Sequence, residues 1–339
     1  VSVFKMVRMT GGDGNIGEYI NTESAMIIIA GIFLSVIIAF TMGMIVQWIV
    51  RLGFSFKLEK TSRYLSGIWG GFAITAILYF LLIKGAKGSS MVTEDMLAYL
   101  RANTGRILFI SFVGWSVVLQ LLVSFTKINI LRVIVLIGTF SLAMAFAGND
   151  LVNFIGVPMA GYESFRAFTA SGGGDPSGFT MEALRAPVST PIYFLIAAGL
   201  IMVLALRFSK KARSVTATEI NLSRQSEGSE RFASSMLARF LVRRSVEFSN
   251  GLSRISPRPV SRFVASRFRQ EAEEQADAHQ KKKTAFDLVR ASVNLVVASI
   301  LIAIGTSLKL PLSTTFVTFT VAMGTSLSDG AWGRESAVY

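Results

Sequence analysis

The sequence predicts an all-α integral membrane protein with about seven transmembrane or half-membrane helices. Only 16% of its 339 residues are charged, where a soluble domain carries about 25%. The mean hydropathy is +0.54. The hydrophobic residues, 52% of the chain, are gathered into long blocks instead of being spread evenly. An α-helix rises about 1.5 Å per residue, so about 20 apolar residues cross a hydrocarbon core about 30 Å thick.

Five blocks reach that length: Ala25–Val50, Ser66–Ile83, Ile107–Phe125, Ile130–Gly148 and Ser189–Phe208. In the last of these, Pro187 and Pro191 suit a helix start. Arg207, Lys210, Lys211 and Arg213 stop it. A sixth block, Phe286–Ser307, carries Asp287 and Arg290 in its first turn and is apolar afterwards. The seventh, Leu312–Leu327, is short and rich in Ser and Thr, as a half-helix or re-entrant segment would be. The chain thus divides into apolar spans over 1–208, a hydrophilic loop over 209–284 and further spans over 285–339. Val1–Glu23 shows no compact apolar region before a small-residue cleavage site, so no signal peptide is read there.

Charge sets the orientation. With Ser209–Thr284 on the inside, the inner segments Arg51–Leu65, Thr126–Asn129 and Ser209–Thr284 hold 4, 1 and 16 Lys+Arg. The outer segments Val1–Ser24, Lys87–Arg106 and Gly161–Val188 hold 2, 3 and 2. Basic loops belong on the cytoplasmic side. This places the chain in the cell (inner) membrane and accounts for most of the +13 net charge without a nucleic-acid partner. Within the inner loop, Phe232, Met236, Leu237, Phe240 and Leu241 recur at helical spacing beside Arg231, Arg239, Arg243 and Arg244. That pattern reads as a basic amphipathic helix lying on anionic membrane lipids.

Several chemistries are poorly supplied. Zero cysteines exclude a disulfide scaffold and thiolate metal sites, and the single histidine, His279, reads as solvated surface. No paired acid–base residues accompany a candidate nucleophile, so an enzyme is not expected. The glycine clusters Gly11–Asn15 and Gly172–Pro176 read as turns and flexible loop, since neither has a phosphate-loop or calcium-loop pattern. Gly67 and Gly71 form a small-xxx-small pair that lets helices approach closely.

The informative residues are the polar ones inside apolar blocks, because an ionisable group at mid-membrane costs at least about 2.5–3.5 kcal/mol. Asn149, Asp150 and Asn153 follow Gly148, and apolar sequence resumes up to Gly156 and Pro158. Glycine before two oxygen-bearing side chains permits local unwinding, which would free carbonyls and a helix terminus for an ion. The bland alternative is a helix that ends at the outer interface. A second cluster is Lys309-Leu310-Pro311-Leu312-Ser313-Thr314-Thr315. Pro311 marks a helix start, whose free N–H groups and neighbouring hydroxyls suit an oxyanion or a sodium ion. Its bland alternative is hydroxyls bonded back to carbonyls one turn earlier. Asp287 and Arg290 are three apart and expected to neutralise each other; Asn294 belongs either to the site or to helix contacts. Gln47, Gln120 and Arg132 read as interface or packing residues.

Together the two clusters resemble the inorganic phosphate transporter (PiT) family, whose signatures are Gly-Ala-Asn-Asp-x-x-Asn-x-x-Gly and Pro-x-Ser-Thr-Thr. Here they read Ala147-Gly148-Asn149-Asp150-Leu151-Val152-Asn153-Phe154-Ile155-Gly156 and Pro311-Leu312-Ser313-Thr314-Thr315. Gly and Ala are exchanged in the first, and Phe316 stands where the family often has His. The resemblance spans roughly Val133–Ser328. It implies part of an inverted-repeat transporter that carries inorganic phosphate in symport with Na+ or H+, without a resident cofactor. Carried over, Asn149, Asp150, Asn153, Ser313, Thr314 and Thr315 would line the site. Asp150 and Asn149 would hold Na+ if sodium couples, while hydroxyls, amides and helix N-termini contact phosphate. The family has two copies of each motif and this chain shows one, so it reads as a fragment lacking the first repeat. As a whole protein it would need a homo-oligomer to build the site between two copies. The competing expectations are carriage of another oxyanion such as sulfate, and a non-transporting scaffold with a lipid-binding loop.

Overall fold

A computed structural model describes residues 22–54, 58–80, 94–126, 128–172, 190–214, 247, 251, 258–268, 287–308, 310 and 312–329. The basic stretch Arg231–Arg244, His279, Gly11–Asn15, Gly173–Pro176, Lys309 and Pro311 lie outside the described residues. Within them the chain is helical, with no strand. The elements are α1 (Thr22–Gly53), α2 (Leu58–Leu78), α3 (Glu94–Ala102), α4 (Thr104–Phe125) and α5 (Ile130–Ala170). They continue with α6 (Ile192–Phe208), α7 (Arg258–Arg267), α8 (Leu288–Ser307) and α9 (Thr314–Ser328). Of these, α1, α4, α5 and α8 are long and apolar enough to cross a membrane, while α2 and α6 contain shorter apolar stretches. The protein is accordingly a helical membrane protein.

Local sequence explains where the central helices begin. Asn129 caps α5 by accepting from the Leu131 N–H at 3.0 Å. Asp287 caps α8 by accepting from Val289 and Arg290 N–H groups at 2.9 and 3.2 Å. Ser313 caps α9 by accepting from the Phe316 N–H at 3.4 Å. Each cap satisfies donors that the helix itself leaves free, worth about 1 kcal/mol.

The helix α8 is the centre of the structure. Val289, Val293, Val296, Ala298 and Ile302 are all buried, whereas the best apolar stretches of α1 and α4 are largely exposed. An apolar helix covered by protein sits inside a bundle; one left bare faces lipid. Against α8 pack α5, α9 and α1, and α2 in turn packs on α4 and α5. Close approach needs glycine at the contacts. A Cβ on Gly43 would lie 2.6 Å from the Val321 carbonyl oxygen, and one on Gly324 would lie 2.2 Å from that of Phe40. Those two glycines let α1 and α9 touch backbone to backbone, as small residues do in membrane bundles.

The pairs of contacting residues define directions. Gly138 of α5 meets Leu295 of α8, and Asn149 meets Thr306, both at an offset of 157 residues, so the two helices run parallel. Beyond Ser307 the chain reverses and α9 packs back along α8, with Thr325 bonded to Asn294. α8 and α9 therefore form a hairpin whose two open ends, Asp287 and Asp329, come together with Arg51 at the end of α1. Arg51, Ile130 and Asp287 end up on one side of the bundle, as the distribution of basic loops requires.

Two expectations are corrected here. The block expected to end at Gly148 continues as one α-helix for 41 residues, to Ala170, with Pro158 inside it. No unwinding occurs at Gly148–Asn149, because apolar Leu151, Phe154, Ile155 and Val157 carry the helix onward. The polar residues interrupt the hydropathy without interrupting the backbone. Further, α3 and α7 are amphipathic helices in stretches too polar to register as spans.

Candidate functional site

The two polar clusters, 164 residues apart in sequence, meet where the tip of the α8–α9 hairpin touches α5. Thr314 Oγ1 donates to the Asp150 carboxylate, at 2.9 Å from Oδ2 and 3.1 Å from Oδ1. Thr314 is 3% exposed, and Asp150 is half-buried. From the residue just before Asp150, Asn149 Nδ2 donates to Thr306 Oγ1 at 3.3 Å. Asn153 Nδ2 donates to Asn149 Oδ1 at 3.3 Å. On α5, Asn153 thus lies one turn beyond both Asn149 and Asp150, at spacings of four and three residues that a 3.6-residue turn places side by side, while Asn149 and Asp150 themselves diverge toward different partners.

The hydroxyl triplet divides its tasks. Only Thr314 reaches across to α5. Ser313 is spent on the N-cap of α9, and Thr315 is exposed. Behind them, Thr318 and Thr320 bond back to carbonyls of their own helix at 2.9 and 2.7 Å, the ordinary behaviour of such residues. Thr314 departs from that behaviour. Being first in the helix it has no preceding helical turn to bond to, so its hydroxyl is left for the neighbour. Thr306, the partner of Asn149, was missed as a site residue. It lies inside an apolar run as one hydroxyl among many, and nothing local distinguishes it.

The tip of the hairpin stays within the apolar length of its neighbours. Beyond Asp150, α5 stays apolar apart from Asn153 for 10 residues, to Ala160, before Glu163 and Arg166, a distance of about 15 Å. Phe154 and Val157 are exposed along it. On the other flank, Val321 packs at Gly43. Following α1 back from there places its apolar start, around Ala25, about 15 Å beyond the level of Thr314. Leu312 fills the turn by pressing on Gly305, where a Cβ would meet its Cδ2 at 1.8 Å. Chain reversal and polar cluster thus lie alongside lipid-facing helices, not past their ends.

Chemically, the cluster offers side-chain oxygens to a hard cation and amide and hydroxyl donors to an oxyanion. Since α5 is unbroken, its carbonyls around Asp150 are engaged in helical hydrogen bonds, except that of Phe154, whose i+4 residue, Pro158, has no N–H to give. Any cation held by Asp150 would take its other ligands from side chains, the turn or water. Among the described residues no group of three or more His, Asp or Glu could hold a metal ion.

A second polar cluster lies at the opposite end of α8. Arg51 Nε and Nη2 grip the Asp329 carboxylate at 3.0 and 2.8 Å, and Nη2 also bonds Asp287. Arg290 Nε and Nη2 lie 3.0 and 2.9 Å from Asp329 Oδ2, and Gln47 Nε2 donates to the same oxygen at 2.8 Å. These five residues are at most 5% exposed. Asp287 and Arg290, expected to neutralise each other locally, are instead paired with Arg51 and Asp329 in a larger network reaching α1 and the end of α9. Gln47 belongs to that network, not to ordinary packing. Asn294 serves helix–helix contact, accepting from Thr325 Oγ1 at 2.5 Å. Gln120 packs at Gly67, and Arg132 is exposed.

No protein-family profile, no curated protein and no solved structure matches the chain.

Proposed function

We propose that this membrane protein carries inorganic phosphate across the cell (inner) membrane in symport with Na+ or H+, at a site built around Asp150 and Thr314. The observation that carries this reading is the hydrogen bond from the Thr314 hydroxyl to the Asp150 carboxylate. It joins two motifs that the sequence keeps apart, beside helices long enough to cross a bilayer. A carboxylate held at such a position calls for a function or a partner. A bare carboxylate repels phosphate, so Asp150 holds the coupling cation, and the oxyanion is met by hydroxyl and amide donors around it. Asn149 and Asn153 supply the amides, and Ser313 and Thr315 lie beside Thr314 at the hairpin tip. Part of an inverted-repeat transporter is the architecture this reading entails.

Uptake of radiolabelled phosphate into liposomes containing the purified chain tests it, with Na+ and pH gradients imposed separately. Uptake that follows one of the gradients and resists excess sulfate is the expected result. Equal competition by sulfate would redirect the reading to oxyanions in general. Absence of uptake under every gradient would contradict it.

A further inference from the structure

We infer that Thr306, at the end of α8, is an oxyanion-binding residue of the Asp150 site, its hydroxyl proton left for phosphate by the amide of Asn149. The inference rests on the function proposed above and adds a donor that neither sequence motif contains.

Two successive residues of α5 hold two hydroxyls in opposite senses. An ionised Asp150 can only accept, so it draws the Thr314 proton, with Thr314 Oγ1 at 2.9 and 3.1 Å from its two oxygens. The lone pairs of that hydroxyl are left over, and they suit a cation. Asn149 Nδ2 instead donates to Thr306 Oγ1 at 3.3 Å. That bond occupies a lone pair and leaves the Thr306 proton to be given away. Lone pairs beside the carboxylate and a proton beside the amide are what a cation and an oxyanion bound together require.

The sense of the second bond is set by a third residue. Asn153 Nδ2 donates to Asn149 Oδ1 at 3.3 Å, so the Asn149 oxygen is committed and its nitrogen faces Thr306. Hydrogen bonds in a chain polarise one another, and the chain Asn153, Asn149, Thr306 ends in an O–H.

Thr306 is also the exception on its own helix. The other hydroxyls of α8, those of Ser292, Ser299 and Ser307, donate to carbonyls three or four residues back, at 2.8, 2.6 and 2.9 Å. That is a common fate of Ser and Thr in membrane helices. Thr306 makes no such bond among the described residues, and it is half-buried. The carbonyls of the last turn, the negative end of α8, would repel an anion if bare. The turn itself occupies them: Leu308 N–H donates to Ile304 O at 3.0 Å, and Leu310 N–H to Gly305 O at 2.9 Å.

Phosphate uptake into liposomes by Thr306→Val and Thr306→Ser, beside the unaltered chain, tests this when KM and maximal rate are measured separately. A hydrogen bond to a charged ligand is worth roughly tenfold to hundredfold, so Thr306→Val should raise the KM for phosphate by about that factor. Thr306→Ser should restore the low KM. The cation concentration for half-maximal uptake at saturating phosphate should stay as it is, since Asp150 and Thr314 are untouched. A residue that only joins two helices would lower the amount of folded protein or the maximal rate and leave KM alone. An unchanged KM in Thr306→Val, or a KM equally high in Thr306→Ser, overturns the inference while transport stands. Absence of uptake by the unaltered chain overturns the transport reading and this inference with it. Should Thr306→Val fold poorly, Thr306→Cys decides, because the chain has no other thiol. Maleimide labelling that is slower in phosphate than in chloride supports the contact, and equal rates overturn it.

Discussion

The Thr314 hydroxyl lies 2.9 Å from Asp150 Oδ2, linking the first turn of the α9 helix to the middle of a 41-residue helix. A hydrogen bond to a charged group is worth about 1.5–3 kcal/mol, and each 1.4 kcal/mol is about tenfold in an equilibrium or rate. Thr314→Ala should therefore lower phosphate uptake by roughly tenfold to a hundredfold, with Thr314→Ser restoring most of it. Initial uptake rates at matched protein levels check this. Equal rates in Ala and Ser variants would mean that the hydroxyl is idle.

The other two hydroxyls are expected to behave differently. Ser313→Ala removes an N-cap and should destabilise the hairpin by about 1 kcal/mol, seen as a lower unfolding temperature. Thr315 is exposed and holds no cap, so Thr315→Ala should change stability by no more than about 0.5 kcal/mol.

Gly148 tests whether α5 stays whole. Nothing lies within 4 Å of a Cβ placed there. In an unbroken helix Gly148→Ala should then be neutral or stabilising, by up to about 1 kcal/mol. A stable variant that loses uptake would show that the helix must open at this point during the cycle. Gly43→Leu and Gly324→Leu, by contrast, should disrupt assembly of α1 with α9, read as loss of folded protein on extraction.

How far the sequence reveals this structure depends on the range of the interactions. Spans were legible because hydropathy over about 20 residues is a local sum: the predicted Ile107–Phe125 and Phe286–Ser307 lie within three residues of α4 and α8. The fate of α5 was not, since Gly148-Asn149-Asp150 looks the same whether it ends a helix or adorns one. The candidate residues Asp150 and Thr314 stood out as polar groups in apolar surroundings, yet their contact was invisible in the spacing. Thr306 gave no signal at all. The buried ion network was hardest to see. Arg51 was read as part of an inner loop and Asp329 was not singled out, and their pairing spans 278 residues. Local three-residue spacing offered Asp287 and Arg290 a nearer explanation, and missed the long-range partners.

The network also makes a stability prediction. Removing one member of a buried ion pair leaves its partner uncompensated and costs about 3–5 kcal/mol. Arg290→Ala should lower the unfolding temperature markedly more than Arg132→Ala, which alters an exposed charge. Thermal unfolding in nanodiscs checks this, and the difference should persist at high salt because buried pairs are weakly screened.

The most direct measurement is phosphate uptake by Asp150→Asn in liposomes, beside the unaltered chain and under the same cation gradient. The substitution keeps the size of the side chain and removes its charge. The account predicts that gradient-driven uptake disappears while the protein remains folded and inserted. Uptake at the unaltered rate would contradict it.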